Sequence, residues 1–283
     1  MNVAILDFQP PEPSARHLME RALEPYLLIG MPHLMPHGLS ETWAMKELGH
    51  RHWLMLARHL GMENADFRTA DGEEAYAAIC ATALSQANFG SVRANDVLTI
   101  RSTLSPVSRT QVSTRHRLSV RGMTIGEVEL ISAFVRRTRE GDNHSIARVP
   151  LPGSQPAAIA ENMLAQTAAM LRNGGLDRHF GLAAASTRPL LGFRFEPGSS
   201  QEFNGAGLFY FAEFQALTER AFERWFPGKL PSVTRREVFF SGNIRAGEAL
   251  QIELMGLLPD GAASFCRVVR EDGKVIGSVF SAH

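Results

Sequence analysis

GMTIGEV at residues 122–128 and GKVIGSV at residues 273–279 share the pattern G-x-x-I-G-x-V. Each reads as a turn glycine followed by a strand that holds a second glycine. A further pair of turn-and-strand motifs precedes them, NDVLTI at 95–100 and GEALQI at 247–252. Asp96 precedes Ile125 by 29 residues, and Glu248 precedes Ile276 by 28. Two motifs at nearly the same separation predict an internal repeat, with two unrelated antiparallel meanders as the alternative.

The segments upstream of these strands extend the repeat. Apolar spacing predicts a long helix from Ser40 to about Leu60 and another from Leu208 to about Trp225. Each follows a short extended stretch. One strand, one long helix and a run of antiparallel strands describe a sheet wrapped around a central helix, which is the hot-dog arrangement. Because the unit occurs twice, we predict an α+β double hot dog.

Two additional helices and a domain boundary complete this prediction. First-turn acids followed by an alanine-rich run predict a helix at residues 71–86, and another is predicted at 156–172. The VPLPGS stretch near residue 150 breaks regular structure. We therefore place the first hot-dog domain at residues 1–150 and the second at 151–283.

The composition is typical of a soluble globular protein, with 45% hydrophobic and 20% charged residues. Lys+Arg and Asp+Glu both number 29, so no global field attracts nucleic acid or a membrane, and an anionic substrate must meet local charge. We find no secretory leader and no apolar run of spanning length, so we expect a cytoplasmic protein. Cys80 and Cys266 are expected to be buried thiols rather than a disulfide.

The segment before the second long helix, EFNGAGLFYF at 202–211, looks like the corresponding segment of hot-dog thioesterases. In that register Asn204 occupies the position of their catalytic aspartate, and Gly207 the position whose N–H polarises the thioester carbonyl. A helix start offers free N–H groups to a developing oxyanion, so we assign both residues to catalysis. Gly205 and Tyr210 are assigned to substrate binding. Asparagine cannot act as a general base, but it can donate a hydrogen bond to a thioester oxygen or an enolate.

The first-half counterpart, GMPHLMPHGLSETW at 30–43, is dense in polar residues. We assign four of its residues to catalysis, His33, His37, Ser40 and Glu41, and two to substrate binding, Gly38 and Trp43. The structural alternative is that Ser40 is an N-cap and Glu41 a first-turn acid. His50, His52 and His59 follow on the helix and are placed on its exposed side. No spacing of metal ligands is present, so no metal site is predicted.

Three stretches resemble the leinamycin-type bifunctional acyltransferase/decarboxylases. They are GMPHL with GLSETWAMKELGHRHW (30–53), FNGAGLFYFAEFQALTERA (203–221) and RREVFFSGN (235–243). The resemblance implies a double hot dog that decarboxylates methylmalonyl-coenzyme A and delivers propionyl to an acyl carrier protein for polyketide assembly. It also implies transfer of the acyl group through a side-chain oxygen, for which Ser40 and Tyr26 are the nearest hydroxyls. No bound cofactor is implied, because coenzyme A or phosphopantetheine is the substrate carrier.

Phosphate groups on that carrier call for cations, and we name four arginines as candidates, Arg109, Arg115, Arg235 and Arg236. Two other functions stay open. A thioesterase or a 3-hydroxyacyl-carrier dehydratase is one, in which His33 or His37 pairs with Glu202 across the two halves. A non-catalytic double hot dog that binds an acyl ligand or carrier protein is the other. The chain is expected to be a monomer or a homodimer.

Overall fold

The structure is a computed structural model that describes residues 12–150, 161–228 and 232–283. The helices are α1 (Ala15–Ala22), α2 (Glu41–His59), α3 (Met163–Arg172) and α4 (Glu213–Trp225). The first-half strands are β1 (Tyr26–Leu28), β2 (Leu34–Met35), β3 (Gly38–Leu39), β4 (Tyr76–Ser85), β5 (Val97–Ser108), β6 (Gln111–Val120), β7 (Met123–Arg137) and β8 (Ile146–Arg148). The second-half strands are β9 (Arg178–His179), β10 (Leu182–Ala183), β11 (Leu191–Phe195), β12 (Arg235–Phe240), β13 (Leu250–Leu257), β14 (Ala263–Arg270) and β15 (Val275–Ala282).

One antiparallel sheet runs through both halves in the order β1-β5-β6-β7-β4-β12-β15-β14-β13-β11, with β8 beside β7. Among the five principal strands of the first half, the order is first, third, fourth, fifth, second. The second half, read from its own outer edge, repeats that order. The two second strands, β4 and β12, pair antiparallel at the centre, so the halves are related by an approximate two-fold axis. The predicted double hot dog is confirmed.

The G-x-x-I-G-x-V motifs lie on the two fifth strands, β7 and β15, and share a β-bulge. In the first half Leu118 pairs with Gly126 and Ser119 with Thr124, so Ile125 is the extra residue. In the second half the pairing likewise skips Ile276. Both isoleucines are buried. A bulge at the same motif position in each half shows that the repeat is structural, because bulges fix register and twist.

The turn motifs at 95–100 and 247–252 also share their backbone geometry. Asn95 and Gly247 both have positive φ angles, 69° and 86°. The acid that follows accepts a hydrogen bond from a backbone N–H three residues earlier in each half, at 2.8 Å for Asp96 and 2.9 Å for Glu248. The alternative of two unrelated meanders is therefore wrong.

The two long helices are the central helices of the hot dogs. Ser40 caps α2 by accepting the Trp43 N–H at 3.2 Å, as the sequence predicts. Leu48 of α2 lies in the first-half core, and Phe214 and Leu217 of α4 lie in the second. A Cβ at Gly277 would stand 2.6 Å from the Phe214 ring, so the second motif glycine makes room for the central helix.

Two predicted helices need correction. Residues 76–85 form strand β4, and not the helix predicted at 71–86, because tertiary pairing with β7 and β12 overrides the helical preference of alanine. The helix predicted from Leu208 begins at Glu213. The helix predicted at 156–172 is α3 over Met163–Arg172; its predicted first residues and the proposed boundary fall on or beside residues 151–160, outside the described part. No helix in the described residues is long and apolar enough to cross a membrane.

Candidate active site

A cavity of about 1010 Å³ lies where the two halves meet. It is bounded by the middle of α2, by β4 and the end of β7, by the segment before α4, and by the residues that follow β12. Polar and ionisable side chains of its wall include His50, Glu74, Tyr76, Cys80, Arg148, Arg172, Asn204, Tyr210 and Lys274. Such a volume accommodates a large ligand.

The cavity follows a part of β4 that β12 does not cover. β12 pairs with residues 81–84 of β4, whereas residues 75–80 line the cavity. Ala77 and Ile79 pack with the core around α2, and Cys80 packs with the cluster around α3. Side chains alternate along residues 75–79, ahead of the bulge at Cys80, so Tyr76 points away from the side of Ala77 and Ile79. The cavity therefore has an apolar chamber beside α2 and a polar chamber on the α3 side.

Tyr76 carries the best-placed hydroxyl of the polar chamber. Its Oη donates to the Glu74 carboxylate and accepts a hydrogen bond from Arg137 Nη1 at 3.1 Å. Burial raises the pKa of Tyr76, and the hydrogen bond to Glu74 adds to that rise, so the phenol is neutral at pH 7. A hydroxyl between a carboxylate and a guanidinium has a proton acceptor and a cation close at hand.

Arg137 and Asn143 hold the turn that carries Asn204. Arg137 donates to Ala206 O through Nη2 and to Asn143 Oδ1 through Nε at 2.9 Å. The buried Asn143 amide donates to Gly207 O and to Ile244 O, both at 2.7 Å. One guanidinium thus spans Tyr76 and the turn. The sequence alone did not reveal this arrangement of Tyr76, Arg137 and Asn143, because Tyr76 lay in the segment predicted to be helical.

Asn204 lies in the cavity wall, but the role predicted for Gly207 needs correction. The Gly207 N–H donates to Asn204 O at 2.8 Å, so it is already used inside the turn and is not a helix-start donor. Asn204 Oδ1 accepts the N–H groups of Ala206 and Leu208, which leaves the Asn204 amide N–H₂ as the group available to a ligand. Two residues before α4 begins, the Phe211 N–H has no acceptor in the described part of the chain.

The other residues predicted beside Asn204 also fall on the wall. Gly205 lies in the turn, and Tyr210 lies against α2, where its hydroxyl faces Gly49. Burial raises the pKa of Tyr210 to about 12, so this phenol is a weaker candidate for ionisation than an exposed tyrosine. Lys46 stands 5.9 Å from the centre of its ring.

The first-half motif lies elsewhere. His33 stacks on Trp43 at 4.5 Å and accepts the Gly30 N–H, and His37 is exposed in the β2–β3 hairpin. Gly38 has φ +120°, and a Cβ there would meet Phe89 O at 2.2 Å, which explains the glycine. None of these residues lines the cavity, so their predicted catalytic and substrate-binding roles are not supported there.

The dehydratase pairing is likewise not assembled. Glu202 is buried and does not line the cavity. Its carboxylate accepts the Gly198 N–H at 2.8 Å and Arg220 Nη1 at 3.3 Å, so it fixes the segment before α4.

Glu41 is neither a surface acid nor a cavity residue. It is 5% exposed and pairs with Arg236 at 3.1 Å, while Arg236 also contacts Glu219 at 3.1 Å. Burial raises the pKa of Glu41 to about 7, against the lowering effect of Arg236. The space left beside Arg236 is about 10 Å³.

The remaining predicted residues lie off the cavity. Tyr26 is 64% exposed on the outer strand β1, four strands from β4. Arg115 pairs with Glu129 and Arg235 with Glu237, while Arg109 is exposed in the β5–β6 turn. Among the described residues no group of three or more His, Cys, Asp or Glu side chains is arranged to hold a metal ion. The two cysteines are free.

Solved structures with the same fold include acyl-ACP thioesterases, of which two are compared with this chain. The acyl-ACP thioesterase from Bacteroides thetaiotaomicron superposes with a TM-score of 0.60 at 11% identity, covering 93% of this chain and 98% of that one. The 12:0-ACP thioesterase from Umbellularia californica gives 0.63 at 10% identity, covering 91% and 95%. No protein-family model matches the sequence, and no curated protein matches it. At such identities the likeness establishes the fold.

Proposed function

We propose that this chain acts in its cavity on an acyl thioester carried by coenzyme A or an acyl carrier protein. The finer proposal is decarboxylation of a malonyl or methylmalonyl thioester, with transfer of the remaining acyl group to a carrier protein. The observation that carries it is the Tyr76 hydroxyl, held between Glu74 and Arg137 beside the turn of Asn204. The fold, which acyl-ACP thioesterases share, supports the substrate class.

The two chambers fit the two ends of such a substrate. Phe211, Phe214 and Phe240 line the cavity, and we assign them to the apolar chamber, where an acyl chain is desolvated. To the polar chamber we assign the Asn204 amide, the Tyr76 hydroxyl and the cations that have no ion pair among the described residues. Between them runs the uncovered edge of β4, whose backbone groups are available to the amides of a pantetheine arm.

Decarboxylation requires donors rather than a base. The bond between the α-carbon and the carboxylate breaks, carbon dioxide leaves, and the electron pair moves onto the thioester oxygen as an enolate. The Asn204 amide and the Phe211 N–H are the groups we assign to that oxygen. The α-carbon then takes one proton from water. An asparagine at position 204, where a hydrolase would need an acid, suits this step.

Transfer follows through Tyr76. Its oxygen attacks the thioester carbonyl while Glu74 accepts the phenolic proton and Arg137 stabilises the developing negative charge. The carbon–sulfur bond breaks, and the thiolate leaves with the proton from Glu74. A carrier-protein thiol then attacks the tyrosyl ester, releases Tyr76 with its proton, and becomes the new thioester. Thioester hydrolysis is the second candidate, since water in place of the carrier thiol completes the same cycle.

Intact-protein mass spectrometry tests both parts. The protein is mixed with methylmalonyl-coenzyme A and a phosphopantetheinylated carrier protein. We expect propionyl on the carrier and, with the carrier omitted, an acyl adduct on the enzyme that maps to Tyr76. Tyr76→Phe should lose the adduct and the transfer, whereas the matched control Tyr26→Phe should keep both. An adduct that persists in Tyr76→Phe contradicts the nucleophile, and release of free acid without loaded carrier favours hydrolysis.

A further inference from the structure

The charge of the cavity wall is uneven, although the chain as a whole is neutral. Four cations, Arg148, Arg172, Arg270 and Lys274, and two carboxylates, Asp66 and Glu74, line it. Arg270 is paired with Asp272, and Asp66 is paired with Arg68. The surplus of positive charge is therefore concentrated on residues that have no acid beside them.

Arg148 and Arg172 are two of those residues. Both are exposed, and neither forms an ion pair or a side-chain hydrogen bond within the described part of the chain. Residues 151–160, which link β8 to the approach of α3, contain no carboxylate. Two exposed guanidinium groups at a cavity wall, without a partner among the described residues, can bind an anion, because Arg donates two parallel hydrogen bonds to a phosphate.

The two arginines come from different elements that both lie next to β4 or its neighbour β7. Arg148 ends β8 and pairs in register with Val135, which pairs on its other side with Tyr76. Two strand spacings separate the Arg148 and Tyr76 backbones by about 10 Å. Arg172 ends α3, which packs on β4. Burial raises the pKa of the Cys80 thiol, while a hydrogen bond from Gln111 and the charges of both arginines oppose that rise, so both cations act on the Cys80 side of β4.

We propose that Arg148 and Arg172 form an anion subsite that binds the phosphate at the end of the pantetheine arm, the phosphate that coenzyme A and a loaded carrier protein share. This rests on the proposed function, because it gives the substrate arm its direction. The phosphate lies at the arginines, the arm follows the uncovered edge of β4, and the thioester reaches Tyr76. The side chains of Ala77 and Ala78, which line this path, are small, and this leaves room for an unbranched chain.

The test compares one thioester with and without its phosphate. Substrates are the acyl-coenzyme A, the acyl-4′-phosphopantetheine and the phosphate-free acyl-pantetheine. Arg148→Ala/Arg172→Ala should lose about tenfold in kcat/KM for both phosphorylated substrates. It should leave kcat/KM for acyl-pantetheine unchanged. Arg101→Ala/Arg188→Ala, which removes two exposed arginines that do not line the cavity, is the matched control and should alter none of the three values.

An equal loss on acyl-pantetheine would overturn the inference, because the arginines would then act on something other than phosphate. A loss confined to acyl-coenzyme A would also overturn it, since it would assign them to the nucleotide phosphates. Calorimetric titration with coenzyme A and phosphopantetheine separates this inference from the proposed function. Binding that weakens about tenfold in Arg148→Ala/Arg172→Ala, without turnover of any thioester, supports the subsite and contradicts the catalysis. No binding to the unaltered protein, or equal binding in the double variant, overturns the subsite.

Discussion

Lowering the pH should destabilise this protein through a chain of buried side chains in the first-half core. His52 bonds to Thr114 at 2.7 Å through Nδ1 and to Ser132 at 2.7 Å through Nε2. His116 continues the chain, with Thr114 at 2.9 Å and Ser102 at 2.8 Å. Both histidines are 1% exposed. Burial lowers the pKa of His52 to about 3, and burial together with the charges of His52 and Arg51 lowers that of His116 to about 3.

The sign and the size follow from proton linkage. Between pH 3 and 6.5 the unfolded chain holds protons on these two imidazoles that the folded chain does not. Stability is therefore full above pH 6.5 and falls as the pH decreases. One pKa unit corresponds to about 1.4 kcal/mol, so each histidine removes about 2 kcal/mol from the free energy of unfolding at pH 5. Glu41 acts in the opposite direction, because its raised pKa makes the folded state bind a proton below pH 7, and it returns about 2 kcal/mol by pH 5.

Urea unfolding at pH 7 and pH 5 measures the net effect of these groups on the free energy of unfolding. His283, whose pKa burial lowers to about 4, acts in the same direction as His52 and His116. The unaltered protein should therefore lose at least about 2 kcal/mol of unfolding free energy over this interval. In His52→Gln, whose amide keeps a donor and an acceptor without titrating, that loss should be about 2 kcal/mol smaller. The decisive quantity is how the change in unfolding free energy between pH 7 and pH 5 differs between the two proteins, since the substitution also changes stability at pH 7. An identical pH slope in His52→Gln and the unaltered protein would refute the reasoning.

Three further predictions concern packing and the site. Gly277→Ala should destabilise the fold by about 1–3 kcal/mol in urea unfolding, because its Cβ would stand 2.6 Å from the Phe214 ring. Arg236→Met should cost about 3–5 kcal/mol by leaving the buried Glu41 and the half-buried Glu219 without their cation, whereas Arg109→Met should leave the midpoint of urea unfolding unchanged. Asn143→Ala should cost about 1–3 kcal/mol and reduce kcat/KM, because the buried Ile244 carbonyl and the Gly207 carbonyl of the turn both lose their donor; unchanged kcat/KM would show that the turn holds its shape without it.

The repeat made the fold predictable. A turn that needs positive φ, and a glycine where a strand passes an aromatic ring, are local requirements that leave a mark at fixed positions, so Gly247 and Gly277 could be read directly. The start of α2 was readable for the same reason, through the Ser40 cap. The strand β4 was not, because its alanines give no β preference. Their small side chains leave room for the cavity beside the strand, and that cavity forms only where the two halves meet.

The site was predictable only in part. Asn204 and Tyr210 lie in the cavity wall because the motif that names them marks the segment before a central helix; their roles stay predictions. His33, His37 and Glu41 were chosen by the same logic, but the motif does not tell which of two related positions stays open. His52, expected on the exposed side of α2, proves to be buried, because its partners lie on distant strands. Tyr76, Arg148 and Arg172 come from three separate segments, so no spacing in the sequence connects them.

The two halves share one frame but differ in what lies beside their central helices. At the start of α2, Glu41 is buried beside Arg236, Glu219 is half-buried on the same guanidinium, and about 10 Å³ of space remains there. In the middle of the same helix, Gly49 keeps a side chain away from Tyr210 and Phe211, and the small residues of β4 help to leave a cavity of about 1010 Å³. A buried ion cluster adds little to stability over an apolar core, so Arg236 matters mainly because its loss would leave Glu41 without a cation.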